Sequence, residues 1–345
     1  MKILLSTALA TGLALAGTTE APAQAMQFIS QNQEQRAQHP PEMDAMSALA
    51  EAGFEVNRSE FQALGIDLAD GLRLVSDGAF AMATIQVGSV AKDDPFLEGI
   101  DLIGVSTNMD DLKLAVEAYR AVFNARLADK FGVTAVAIWP FGPQVFLCNA
   151  EIATLADLDG LKVRSFTASM STLLESLGAT PVTLSFPEVY PALQRGVASC
   201  GVTSPTSSNT GKWPEVTTNL YPLSVSGSVQ AHMVNLAWLE GLSDGERAQF
   251  DAIMADMEAA LWEVALTTNG TAQACSTGGD CPDGGIYTSY DMALIPVSDD
   301  DKAKVADISV SAILPQWAET CEASYPGCTS IWNETVGAAR GLTIE

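Results

Sequence analysis

Two histidines, six cysteines and 42 acidic side chains hold the reactive chemistry available to this 345-residue chain. A nucleophilic hydrolase needs a base beside its serine or cysteine. The candidate bases are His39, next to Pro40 near the N-terminus, and His232. Neither stands near a cysteine in sequence and no Gly-x-Ser-x-Gly elbow occurs, so both read as packing or surface residues. Metal chemistry fares no better, because the chain has no His-Glu-x-x-His and no Cys-x-x-Cys. The acidic runs Asp93-Asp94 and Asp299–Asp301 lack the spacing of a calcium loop and read as solvated segments. No Gly-x-Gly-x-x-Gly or Walker-type phosphate loop is present. No catalytic residue, metal or cofactor is therefore expected.

The cysteines suit a structural role. An even number in an exported chain reads as three disulfides. Short spacing favours Cys275–Cys281 and Cys321–Cys328, which leaves Cys148–Cys200 by elimination. Export is indicated by residues 1–25, where Lys2 precedes an apolar stretch too short to span a bilayer and Ala23-Gln24-Ala25 forms a cleavage site. With no lipobox cysteine at that point, a soluble periplasmic protein beginning near Met26 is expected. The balance of 17 basic against 42 acidic residues, a net charge of −25, argues against a nucleic-acid partner and against anionic lipid.

The elements read as α/β. Short apolar runs bounded by glycine alternate with short helical patterns, which predicts parallel βαβ units. The clearest helix covers 110–131, with Asp110 or Asp111 as cap and Gly132 as stop, followed by a buried strand over 133–140. A strand over 161–165 and helices over 169–177 and 187–195 continue the alternation. A second long helix covers 243–266, opened by Ser243 with Glu246 three residues on as a capping box. The Gly-rich stretch 269–286 reads as a loop, and 299–314 and 330–339 as the last helices. The length suits about two domains. No linker separates them, so two lobes joined by crossing strands are expected.

One stretch is more specific. Residues 149–196 contain Asn149, then Thr154, Asp157-Leu158, Gly160, Lys162 and Arg164, then Leu177-Gly178-Ala179 and Pro181. Phe186, Glu188-Val189-Tyr190, Ala192-Leu193-Gln194 and Gly196 complete it, and Lys212 through Leu223 extend it. This pattern resembles the DctP-type extracytoplasmic substrate-binding subunits of TRAP transporters. The resemblance implies two α/β lobes of the periplasmic-binding-protein kind, each a β-sheet flanked by helices, with the helix 243–266 as a spine. It implies lobe I from 26–141 plus 231–268 and lobe II from 142–230 plus 269–345. A small organic acid would sit between the lobes, which close by hinge motion, and be passed to membrane permease subunits by a monomeric receptor. A ligand-sensing partner of a signalling receptor would have the same fold.

The resemblance also assigns a site. Arg164, at the end of a strand, matches the arginine that pairs with a ligand carboxylate, for which a planar guanidinium supplies two parallel donors. Phe186 falls where an aromatic meets the ligand. Gln144, in Gly142-Pro143-Gln144, replaces a second arginine, and Thr203 replaces an asparagine. Gln31 and Gln86 fall near the polar contacts of the first lobe. Trp139, Trp213 and Trp238 read as core or lobe packing, and Glu188 and Tyr190 as architectural. With Gln144 in place of an arginine, one carboxylate and an uncharged far end are expected of the ligand.

Overall fold

The computed structural model describes residues 25–345. The expected signal peptide, apart from its last residue, lies outside the described residues. The strands are β1 (Met26–Ser30), β2 (Val56–Glu60), β3 (Met82–Gln86), β4 (Val133–Pro140), β5 (Val145–Cys148) and β6 (Lys162–Ser165). They continue with β7 (Thr180–Thr183), β8 (Cys200–Thr203), β9 (Asn219–Tyr221), β10 (Val229–Asn235) and β11 (Ala293–Leu294). One sheet runs β2-β1-β3-β10-β4 and the other β11-β9-β5-β8-β6-β7. Helices flank both sheets, which gives a two-lobed α/β fold.

The expectation of parallel units holds for two of the four strand pairs in the first sheet and for three of the five in the second, β9 with β11 included. Strand β1 is parallel to β2 and β3, and β6 to β7 and β8. Strand β10 is antiparallel to β3 and β4, and β5 to β8 and β9. Both exceptions belong to chain segments that cross between lobes. Such a segment enters its second sheet directly, without the helical crossover that a parallel neighbour requires.

The two crossings, 141–144 and 222–228, are themselves hydrogen-bonded. Phe141 N–H donates to Ser228, Gly142 N–H to Gly227 and Gln144 N–H to Ser226, at 3.2, 3.1 and 2.8 Å. Gly142 sits at φ +115°, and a Cβ there would lie 2.1 Å from Asn269 Nδ2, so only glycine fits.

Local chemistry sets the helix ends. The helix Met109–Phe131 is capped by Asn108, whose Oδ1 accepts from Asp111 N–H at 2.9 Å. The expected caps Asp110 and Asp111 instead occupy the first turn, where their charge favours the positive helix end. Leu112, Val116, Tyr119, Phe123 and Leu127 bury one face of that helix. The long helix starts at the predicted capping box of Ser243 and Glu246 but extends over Asp244–Ser276, ten residues past its expected end. Its extra turns are held by tertiary contacts. Asn269 is buried, accepts from Thr206 N–H at 3.1 Å and donates to the Ala265 carbonyl at 3.0 Å. Polar residues that read as a loop are thus the packed face against the second lobe.

Disulfides join Cys148 to Cys200, Cys275 to Cys281 and Cys321 to Cys328. The first links directly opposed residues of β5 and β8. The C-terminal helices, grouped by sequence with lobe II, lie against residues 95–111 of lobe I. Trp317 Nε1 donates to the Pro95 carbonyl at 2.8 Å and Trp332 Nε1 to that of Gly99 at 2.9 Å. The Arg340 guanidinium grips both oxygens of Asp111.

Candidate functional site

The C-terminal ends of β1, β3, β6, β7 and β8 face one another across a cavity of about 670 Å³ between the lobes. Open α/β sheets present their ligand crevice at such ends, and the volume suits a small molecule. All six residues singled out by sequence, Gln31, Gln86, Gln144, Arg164, Phe186 and Thr203, line this cavity.

Arg164 follows Val163, and strand alternation separates the two. Val163 enters the core and Arg164 points to the cavity. Only 3% of Arg164 is exposed. Its Nε donates to the Leu184 carbonyl at 3.1 Å and Nη1 to the Val202 carbonyl at 2.7 Å. Its guanidinium lies 4.6 Å from the Phe166 ring centroid. These contacts fix the plane of the fork. No carboxylate among the described residues pairs with it, and burial depresses its pKa to about 9. The cation is therefore held in place, dehydrated and without a counter-charge.

Phe186 opens the helix Phe186–Gln194, whose N-cap Ser185 and Glu188 form a reciprocal capping box. The ring stacks on buried Trp213 at 5.3 Å between centroids and 20° between planes. Glu188 also borders the cavity, but its carboxylate is engaged by Ser185 N–H and Oγ at 2.9 and 2.6 Å. Tyr190 donates to Glu215 at 2.8 Å. Trp139 is buried in the core of lobe I, and Trp213 supports Phe186 from beneath.

The glutamines are partly committed. Gln144 Nε2 donates to the Gly142 carbonyl at 2.9 Å, Gln86 Nε2 to Ser228 Oγ at 2.9 Å and Gln31 Nε2 to Gln230 Oε1 at 2.7 Å. They line the cavity as oriented polar groups.

Sequence reasoning missed Arg36. This residue lies in the turn after β1 and reaches the cavity from lobe I. Its guanidinium sits over Phe186 of lobe II, 4.1 Å from the ring centroid, and burial lowers its pKa to about 10. The only available signal was its position just beyond a strand end, five residues after Gln31.

A buried network fixes that turn. Glu42 accepts from Ser30 Oγ at 2.8 Å, Asn32 Nδ2 at 2.7 Å and Arg58 Nε at 2.8 Å. His232 Nδ1 accepts from Trp139 Nε1 at 3.0 Å, which leaves Nε2 facing Glu42 at 3.2 Å. Burial opposes the Glu42 charge, but His232, Arg58 and Ser30 together hold its carboxyl below the usual range. His232 is thus a core residue that orients the acid.

The acidic runs are structural as well. Asp94 pairs with Arg126 at 2.6 Å and Lys130 at 3.1 Å, and Asp301 accepts from Tyr221 at 2.6 Å. Among the described residues no group of three or more His, Cys, Asp or Glu side chains is placed to hold a metal. No helix among them is long and apolar enough to cross a membrane.

The chain is 25% identical over 256 residues to the C4-dicarboxylate-binding periplasmic protein DctP of Rhodobacter capsulatus, covering 69% of this chain and 77% of that one. It is 28% identical over 155 residues to the ectoine-binding periplasmic protein TeaA of Halomonas elongata, 44% of either chain. In fold it is similar to DctP7 of Bordetella pertussis, an extracytoplasmic solute receptor binding pyroglutamic acid. The TM-score is 0.78 at 19% identity, covering 90% of this chain and all of that one. The family of bacterial extracellular solute-binding proteins, family 7, matches residues 71–276, more than half of the chain. The chain belongs to that family, the DctP-type substrate-binding proteins of TRAP transporters.

Proposed function

We propose that the chain is a periplasmic receptor that captures a small organic acid between its lobes, with Arg164 as the principal carboxylate ligand, and delivers it to the membrane permease of a TRAP transporter. The supporting observation is Arg164 itself. A buried guanidinium oriented by two carbonyls, and left without an acid, suits an incoming carboxylate. Such a charge-assisted fork is both strong and directional. Phe186 supplies an apolar wall, and Gln31, Gln86, Gln144 and Thr203 supply neutral polar contacts. The receptor performs no chemistry in this reading; its work is capture, closure and release.

A thermal-shift screen of mono- and dicarboxylates against their amides tests the reading. A ligand at 100 times its Kd adds about 2.7 kcal/mol of stability. The reading predicts stabilisation by an acid and none by the corresponding neutral amide. No shift with any acid contradicts it.

A further inference from the structure

Away from the ligand cavity, a carboxylate of lobe I is buried against the start of a lobe II helix. Glu98 lies in the short helix Pro95–Ile100 and is 4% exposed. No lysine, arginine or histidine among the described residues pairs with it. Its Oε1 accepts instead from Ser169 N–H at 2.9 Å and from Ser169 Oγ at 2.6 Å. Ser169 stands in the first turn of the helix Ala168–Ser176, where the helix dipole favours an acid. The Ser169 hydroxyl also accepts from Ile103 N–H of lobe I at 3.4 Å. Ser169 is thus held on both sides by the opposite lobe.

Both halves of this contact are stiff. On lobe I, three aromatic side chains donate to carbonyls of the Glu98 segment: Trp317 to Pro95 at 2.8 Å, Tyr119 to Phe96 at 2.9 Å and Trp332 to Gly99 at 2.9 Å. On lobe II, the turn between β6 and the helix is tied internally. Ser165 Oγ donates to the Thr167 carbonyl at 3.0 Å, and Met170 N–H donates to Thr167 Oγ1 at 3.1 Å. That turn carries Arg164 and Phe166, which line the cavity, while Glu98 does not. A stiff segment therefore bears the ligand cation at one end and the gripped serine at the other. Rotation of lobe II away from lobe I takes both Ser169 donors from a buried acid, which is costly. The grip and the closed position of Arg164 are made and lost together.

We propose that Glu98 is a positioning residue for ligand retention: its grip on Ser169 holds the turn bearing Arg164 and Phe166 against lobe I and sets how long a captured acid stays in the cleft. The inference rests on the reading of the chain as a receptor that closes on a carboxylate. The grip forms as the lobes come together, after the acid has entered. Its loss therefore belongs in the dissociation rate rather than the association rate.

Stopped-flow tryptophan fluorescence at pH 7.5 tests this, with succinate, pyroglutamate and glucuronate as probes. The proteins are wild type, Glu98→Ala, Glu98→Gln, Ser169→Ala and the double variant Glu98→Ala/Ser169→Ala, each checked for folding by circular dichroism. For a probe that wild type binds, Glu98→Ala should raise the dissociation rate about tenfold or more and leave association within about twofold. Glu98→Gln, whose amide oxygen can accept the same two bonds, should return dissociation to within about threefold of wild type. Ser169→Ala keeps the N–H bond and should fall between wild type and Glu98→Ala. The double variant should match Glu98→Ala within about twofold, because the two side chains act through one contact. Wild-type dissociation in a folded Glu98→Ala protein would overturn the inference and leave the carboxylate receptor intact. Fully multiplicative losses in the double variant, or no recovery in Glu98→Gln, would overturn it as well. Should Glu98→Ala fail to fold, Ser169→Ala decides, and unchanged dissociation there overturns the inference. Failure of wild type to bind any of the three acids would overturn both readings.

Discussion

Arg36 and Phe186 meet across the cleft, guanidinium over ring at 4.1 Å, so that one residue of each lobe closes on the other. Beneath them Phe186 rests on Trp213, and Arg164 flanks the same ring system. The aromatic stack is therefore a common support for both cations. Its position is set by the capping box of Ser185 on one side and by the Glu42 network on the other.

Substitution of Phe186 separates packing from recognition. Phe186→Ala should cost about 2 kcal/mol of folding stability, less than a fully buried phenylalanine would, because the ring is only half-buried. Phe186→Leu should retain most of that stability but lose the cation–π contact, about 0.5–1 kcal/mol. Urea denaturation and ligand titration on both variants check the separation.

The Glu42 network orients the Arg36 turn, so its loss should appear in both stability and affinity. Glu42→Gln leaves Arg58 without its buried acid and should destabilise lobe I by about 3–5 kcal/mol. Ligand affinity should fall although Glu42 does not line the cavity. Denaturation followed by calorimetry at a temperature where the variant is folded distinguishes the two effects.

Asp101 predicts a pH dependence. Its carboxylate accepts from the crossing segment at Gly227 N–H and Val229 N–H, 3.4 and 3.0 Å, and burial pushes its pKa up to about 7. Buried Glu98, bound to Ser169 N–H and Oγ at 2.9 and 2.6 Å, is pushed up as well, again by burial. An unfolded aspartate titrates near 3.9. Between about pH 4 and 7 the folded protein then holds more protons than the unfolded chain, so this group lowers stability as pH rises and levels off above 7. Asp101→Asn should gain on wild type by about 1–3 kcal/mol from pH 4.5 to 7.5. Urea melts at the two pH values measure the difference, and parallel behaviour of the two proteins would refute it.

Close approach of the lobes at Gly88 predicts a steric effect on binding. A Cβ there would lie 2.2 Å from Thr167 Cγ2. Gly88→Ala should hold the lobes apart at this point and weaken ligand binding by about tenfold, which is about 1.4 kcal/mol. The melting temperature of the unliganded protein should change little. Small-angle scattering with and without ligand, alongside calorimetry, checks both statements.

Much of this was legible in the sequence. Strand β4 falls over 133–140 as its apolar run indicates, and Ser243 with Glu246 announces the start of the long helix. Those signals are local, resting on side-chain period and on cap chemistry within four residues. The continuation of that helix through Asn269 was not legible, because Asn269 owes its place to Thr206 and Ala265. Strand β10 was missed for a related reason: it is read only against β3 and β4, which are distant in sequence. At the site, the motif over 149–196 led to Arg164 and Phe186, and the wider resemblance led to Gln31, Gln86, Gln144 and Thr203; all six line the cavity, from both lobes. Arg36 carries no motif; its place over Phe186 of the other lobe comes only from the folded arrangement.

Calorimetric titration of wild type and Arg164→Ala with the acids that stabilise wild type is the most direct measurement of the central claim. Arg164 makes its hydrogen bonds to two carbonyls at the cavity wall, so circular dichroism should report an intact fold. Carboxylate binding should fall by a factor of 100 or more, about 3 kcal/mol, with only partial recovery in Arg164→Lys. Unchanged affinity in a folded Arg164→Ala protein would contradict it.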